Sequence, residues 1–263
     1  MKTVVITGST RGIGYGLANA LLDLGCAVTV SGRKQETVDA SVAELSTRHP
    51  QERVLGCPCD VTDFEQVQAL WDTSRRQFGR IDIWINNAGL GHEQVSFWEL
   101  STERIETVVN TNMLGSMYGT KVALQGMLEQ GFGALYNVEG LGSGGPKIEG
   151  TSVYATSKAA LRYFDEALAQ ELAGTPVIMG SLNPGMVITD LVTGPYEGRP
   201  EEWQRVKRIF NIIADRVETV APWLAKRILD NDKNGARISR TSTWRVGLRF
   251  LTAPFRRRDL FSE

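Results

Sequence analysis

The sequence predicts an α/β fold: a single domain built on a doubly wound parallel sheet of about seven strands, with helices on both faces. Two observations carry that expectation. Short apolar runs alternate with helix-period segments from residue 3 to about residue 240, the pattern of repeated βαβ units. The runs are also continuously apolar, as strands covered on both faces are. With 263 residues, 42% of them hydrophobic, the chain can bury a substantial core.

The elements follow in order. Val4-Val5-Ile6, Ala27-Val28-Thr29-Val30 and Val54-Leu55-Gly56-Cys57 are the first three strands. Residues 81–85, 134–138, 177–179 and 236–238 supply the other four. Val38, Val42 and Leu45 share one face of the second helical segment, and Phe64, Val67 and Trp71 one face of the third. Longer helical patterns cover about 102–130 and 152–172. Residues 186–215 contain Gly194-Pro195 and Gly198-Arg199-Pro200. They are too long for a plain connection and read as a substrate loop or lid. The expected organisation is a domain over 1–240 followed by a tail over 241–263.

Composition excludes several functions. Lys plus Arg number 29 against 30 Asp plus Glu, a net charge of −1, so no global field draws nucleic acid. Three cysteines (Cys26, Cys57, Cys59) and two histidines support neither a disulfide framework nor a zinc site, and no metal is expected. No stretch reaches the ~18 apolar residues of a membrane span. A strand begins directly after Met1-Lys2, which points to a reduced, cytoplasmic protein.

Thr7-Gly8-Ser9-Thr10-Arg11-Gly12-Ile13-Gly14 joins the first strand to the first helix. Glycines there allow a tight turn and close approach of a pyrophosphate to the positive end of the helix, so the fold is of Rossmann type. An acid at the end of the second strand would hold the ribose hydroxyls of NAD. Ser31-Gly32-Arg33 offers none, and Arg33 with Arg11 matches a 2′-phosphate, so the expected cofactor is NADPH. Tyr154 and Lys158 are four residues apart and share a helix face. An ammonium beside a phenol favours its ionised form.

Five motifs in order, the glycine turn, Asp60-Val61, Asn86-Asn87-Ala88-Gly89, Tyr154-x-x-x-Lys158 and Asn183-Pro184-Gly185 with Thr189, resemble the short-chain dehydrogenase/reductase family over residues 3 to about 240. The resemblance implies that Tyr154 is the general acid toward a carbonyl oxygen and that Lys158 holds the nicotinamide ribose. Asp60 and Val61 would meet the adenine, and Asn87, Ala88 and Gly89 would line the adenosine side. Pro184, Gly185, Val187 and Thr189 would complete the cofactor site. Asn112, with Asn110 as rival, would support a water chain to the lysine.

One family residue is missing, the Ser 13 positions before the Tyr. Counting back from Tyr154 gives Leu141, and counting forward from Asn137 gives Gly140. Ser143 is the expected substitute hydroxyl, with Glu139 as the other polar candidate. The segment Asn137-Val138-Glu139-Gly140-Leu141-Gly142-Ser143-Gly144-Gly145 resembles the chlorophyll b reductase branch, whose members reduce a 7-formyl group with NADPH. The plant members carry transit peptides, so this chain resembles a soluble bacterial-type relative. A general carbonyl reductase and a non-catalytic NADP(H)-binding sensor are the alternatives. The family also implies a homodimer or homotetramer formed through the two long helices. The tail from Trp244 carries five Arg against Asp259 and Glu263 among apolar residues, a composition suited to peripheral contact with anionic lipid or to docking on the protein itself.

Overall fold

Each continuous apolar run folds as a strand in the computed structural model, which describes residues 1–144, 147–196, 198–253 and 258–261. The strands β1 (Thr3–Ile6), β2 (Ala27–Gly32), β3 (Val54–Pro58), β4 (Ile83–Asn86), β5 (Gly133–Val138), β6 (Val177–Asn183) and β7 (Ala236–Ser239) form one sheet. Its order is β3-β2-β1-β4-β5-β6-β7, all parallel, with Val4 opposite both Val28 and Ile83. β6 runs four residues beyond its apolar run. Its polar end is kept in register by β7, with Ser181 opposite Arg237 and Asn183 opposite Ser239.

Two apolar layers sandwich the sheet. On one face α1 (Gly12–Asp23) and α9 (Val217–Leu229) bury Leu17, Leu21, Leu224 and Ile228 against Ile6, Val28 and Ile85. On the other, α3 (Phe64–Phe78) and α5 (Gly115–Gln130) bury Leu70, Trp71, Val122 and Met127 against Val5, Trp84 and Leu135. A fully buried leucine contributes roughly 1.5–3 kcal/mol, so these layers dominate stability. α2 (Gln35–Ser46) buries Val38 and Leu45 as its period predicts, and Cys26, Cys57 and Cys59 are free, buried thiols.

The helix expected over 102–130 is interrupted. α4 (Thr102–Val109) passes through a single π turn, Asn110–Leu114, into α5. The extra residue per turn rotates the face presented after it, and such turns concentrate at functional sites. α6 (Ser152–Glu171) follows the expected limits. The long loop expected at 186–215 is mostly helical instead, with α7 (Asp190–Thr193) and α8 (Pro200–Ile213). Pro200 at the first turn of α8 and the amphipathic spacing of Trp203, Val206 and Phe210 explain why it is not a bare loop.

The tail forms α10 (Thr243–Thr252) and returns along α8. Arg249 donates to the Ile213 carbonyl and to Asp215, Arg258 donates to Asp215, and Phe261 packs edge-on against Trp203 at 4.8 Å. Residues 254–257, which include Arg256 and Arg257, lie outside the described residues, as does Gly145. Trp244, Leu248 and Leu251 face outward on α10.

Candidate active site

β1 and β4 are neighbours although their chains wind away in opposite directions, so a crevice opens beyond their C-terminal ends. The glycine turn floors it. Gly8 and Gly12 take φ of 61° and 58°, conformations that favour glycine. A side chain at Gly14 would overlap the Asn87 amide, which donates to the carbonyls of Thr7 (3.0 Å) and Gly8 (2.9 Å). The backbone N–H groups of Asn87 and Ala88 donate to Thr7 Oγ1. The loops after β1 and β4 are therefore one unit. Arg11 precedes α1 without a side-chain cap, leaving first-turn N–H groups for an anion, and the glycines leave the room a pyrophosphate needs. These residues fit a dinucleotide.

The expected cofactor residues divide. Ser9 is packed into the turn: its hydroxyl is buried, donating to the Ile6 carbonyl (2.6 Å) and accepting from the Ser31 N–H (2.9 Å), while its own N–H bonds the Ser31 carbonyl. It shapes the turn from behind. Thr10 packs over Gly32, where a Cβ would come within 2.7 Å of its methyl. Arg33 is exposed just past β2. Arg11 reaches across the crevice to Asp190 at 3.0 Å, both side chains exposed. Asp60 and Val61 lie beyond the end of β3, and one Asp60 oxygen accepts from the Thr62 N–H and hydroxyl. Gly185, at φ 77°, donates its N–H to Asn183 Oδ1, Pro184 and Val187 are buried, and Thr189 lies against Gly12.

Tyr154 and Lys158 stand on the first turns of α6. Lys158 is buried and its Nζ donates to the Val138 carbonyl at 3.0 Å. A Cβ at Gly89 would stand 3.4 Å from both Lys158 Nζ and Asn112 Oδ1, so glycine there keeps the lysine close to the β4 loop. Burial lowers the Lys158 ammonium to about 8, against the raising influence of Asp165 and Glu139. Burial pushes the Tyr154 phenol up to about 12. Burial alone sets this shift, in place of the pull expected from the ammonium, and Tyr154 is a protonated acid at neutral pH.

The missing serine is located by Gly140. A Cβ on Gly140 would overlap the Tyr154 hydroxyl oxygen and lie 3.2 Å from Tyr154 Cζ. The count forward from Asn137 therefore finds the slot, and the count back from Tyr154 misses it by one residue. Ser143 is turned elsewhere: its hydroxyl donates to the Gly140 carbonyl at 2.7 Å. Glu139 is also committed. Buried at the end of β5, it accepts both Arg237 Nε and Nη2 (2.7–3.1 Å) and Asn183 Nδ2 (3.3 Å). Burial raises its carboxyl, but Arg237, Ser143 and Ser181 outweigh that and hold it below the usual range.

Asn112, rather than the exposed Asn110, faces inward from the π turn. Its amide donates to the Leu90 carbonyl (2.9 Å) and Ser157 Oγ (3.0 Å) and accepts from the Leu90 N–H, tying the β4 loop to α6. Sequence reasoning missed a second buried chain: Trp84 donates to Asn86, Asn86 to Asn137, and Asn137 to Asp165. An acid on the buried face of α6, seven residues after Lys158, was the available signal.

The segment over the mouth is pinned at both ends. Val187 bridges Asp215, and Ile188 and Met186 exchange backbone bonds with it. Tyr196 donates to Gln94 of the β4 loop (3.1 Å) and packs with Trp203 and Phe210. Of the apolar residues in this segment, Val187 and Phe210 are buried, while Leu191 and Ile209 are exposed.

A doubly wound sheet, a glycine turn at the switch point and a Tyr–Lys pair facing it define a dinucleotide-dependent oxidoreductase of carbonyl and hydroxyl groups. The chain belongs to the short chain dehydrogenase family, whose profile matches residues 2–199. It is 34% identical over its whole length to the "Probable chlorophyll(ide) b reductase NYC1, chloroplastic" of Arabidopsis thaliana, of which it covers 55%. It is 33% identical, over 97% of its length and 73% of the relative's, to the "Chlorophyll(ide) b reductase NOL, chloroplastic" of the same plant. The chain thus spans about half the length of the first of these relatives. Among solved structures, an actinorhodin polyketide ketoreductase variant with NADPH superposes with a TM-score of 0.81 at 26% identity, covering 91% of this chain and 95% of that one. No helix among the described residues is long and apolar enough to cross a membrane.

Proposed function

We propose that this chain is an NADPH-dependent carbonyl reductase that converts the 7-formyl group of chlorophyll b, or of a related formyl tetrapyrrole, to hydroxymethyl. The observation that carries the reading is Gly140. Where the family usually places serine, this chain has glycine, and the Tyr154 hydroxyl stands so close that a Cβ there would overlap it, so the phenol is set without a hydroxyl-bearing neighbour at that position. Similarity along this chain to parts of the two plant chlorophyll(ide) b reductases, 55% of one and 73% of the other, supports the same substrate. NADPH is favoured by the absence of an acid after β2 and by Arg33 and Arg11 beside the vacant slot.

Held by the glycine turn from Gly8 to Gly14, a bound nicotinamide dinucleotide would supply the hydride for the carbonyl carbon. Tyr154, held protonated by burial, gives its proton to the carbonyl oxygen as the C=O π bond becomes O–H, so the product is the neutral alcohol. Lys158, anchored on the Val138 carbonyl, presents an ammonium that stabilises the phenolate left behind, and Asn112 fixes the loop beside it. A homodimer or homotetramer through α4–α5 and α6 fits the outward Leu128 and Tyr163. Peripheral lipid contact through α10 fits its outward Trp244, Leu248 and Leu251.

Incubation with detergent-dispersed chlorophyll b and NADPH, followed by chromatography, tests the reading. The hydroxymethyl product is expected, and Tyr154→Phe is expected to abolish it. Vigorous turnover of small ketones without pigment conversion assigns the chain to the general carbonyl reductases. NADPH binding without oxidation by any carbonyl leaves the sensor.

A further inference from the structure

The buried acid behind the catalytic pair has no part in the chemistry above. Asp165 lies on α6, seven residues or about two turns after Lys158, and only 5% of it reaches solvent. One carboxyl oxygen accepts Asn137 Nδ2 at 2.5 Å, while the other is buried with no hydrogen-bond partner among the described residues. It lines a cavity of about 60 Å³ with Arg162, Glu166, Ser181 and Arg237, a space large enough for a water. Isolated buried carboxylates are costly, and a helix surface seldom carries one without a reason.

Two physical links lead from Asp165 to the lysine. The first is mechanical: Asn137, gripped by Asp165, immediately precedes Val138, whose carbonyl receives Lys158 Nζ. The second is electrostatic, because the carboxyl and the ammonium each act on the other's charge inside the protein, with Glu139 acting on both. The charges facing Asp165 are Lys158, Arg162 and Glu166 on its own helix, Glu139 on β5, and Arg237 on β7, already engaged by Glu139. Ser181 faces it from β6.

We propose that Asp165 is a positioning residue that controls the charge of Lys158, its buried carboxyl supporting the ammonium so that the charged lysine, and with it the activity, persists to higher pH. Burial raises the Asp165 carboxyl to about 8, where Lys158 also titrates. Near neutral pH the acid is protonated and the amine charged. As pH rises, the forming carboxylate supports the ammonium next to it. The pair then holds one proton between its members.

Two variants separate charge from shape. Asp165→Asn keeps an oxygen for Asn137 but cannot ionise, and Asp165→Leu removes both links. The inference rests on the reading of Tyr154 and Lys158 as the reacting pair, so one measurement is made without turnover. Infrared difference spectra of the unliganded protein between about pH 6 and about pH 10 should contain a protonated-carboxyl band that is lost on the alkaline side and is absent in Asp165→Asn. In turnover, the alkaline limb of the kcat profile in Asp165→Asn should move toward acid by about one pH unit, with kcat near neutral pH within about twofold of wild type. Asp165→Leu should lose activity at every pH. A profile of Asp165→Asn that superimposes on wild type overturns the proposal, as does a wild-type spectrum with no protonated carboxyl. If Asp165→Asn does not fold, the wild-type infrared titration decides alone.

Discussion

Removing Arg237 should invert the pH dependence of stability. Glu139 has no exposed side-chain surface and its partner is the bidentate Arg237 on the edge strand β7. Arg237→Met keeps the stem that packs along β7 but strands a carboxylate in the interior. Breaking a buried pair costs about 3–5 kcal/mol, and the low end applies because 37% of the Arg237 side chain reaches water. The expected loss is thus about 3 kcal/mol at pH 7, a large part of a typical domain's stability. In the wild type the Glu139 carboxyl is held below its ordinary value. It therefore contributes stability that is present above the unfolded pKa, near ~4.3, and is lost as pH falls through the folded value. Without Arg237, burial raises that carboxyl, and the variant gains stability relative to wild type as pH falls from neutral toward ~5. Urea unfolding of both proteins across that range reads the difference. Glu139→Leu combined with Arg237→Met should recover most of the loss, since a matched apolar pair is often as stable. A loss below about 1 kcal/mol with an unchanged pH slope would refute the buried-pair argument.

Other outcomes follow from the same structure. Arg33→Ala should weaken NADPH at least tenfold while leaving NADH unchanged, read by fluorescence titration, because a charge-assisted bond contributes about 1.5–3 kcal/mol. Gly140→Ala places a Cβ against the Tyr154 hydroxyl and 3.2 Å from its ring, so kcat should fall by roughly tenfold to a hundredfold with cofactor binding intact. Ser143→Ala, which loses a bond to the Gly140 carbonyl and one of several supports of Glu139, should cost far less than Tyr154→Phe under the same assay. Asp215→Ala should free the tail, because Arg249, Arg258 and Arg240 all converge on that carboxylate, and limited proteolysis should then cut after 240.

Much of the fold was legible because its signals are local. Continuous apolar runs mark the strands, and the glycine turn with Tyr154 and Lys158 marks the crevice. What the sequence concealed depends on long-range pairing. Ser9 reads as a cofactor ligand by its place in the turn, yet Ser31, 22 residues away, takes both its hydroxyl and its N–H. Glu139 reads as a free polar group until Arg237, 98 residues on, arrives through β7. The Gly140 slot needed the π turn and α6 in place, since only the fold aligns the two ways of counting. The helical character of 186–215 was hidden by its prolines and glycines, which mark the ends of α7 and α8 rather than a loop.

Isotope transfer tests the central claim most directly. With NADPH deuterated at the transferring position of the nicotinamide, chlorophyll b and wild-type protein should yield a hydroxymethyl pigment carrying one deuterium on the new carbinol carbon. Tyr154→Phe should yield almost none. An unlabelled alcohol, or oxidation of the cofactor with the formyl group intact, would contradict direct hydride delivery to that carbon.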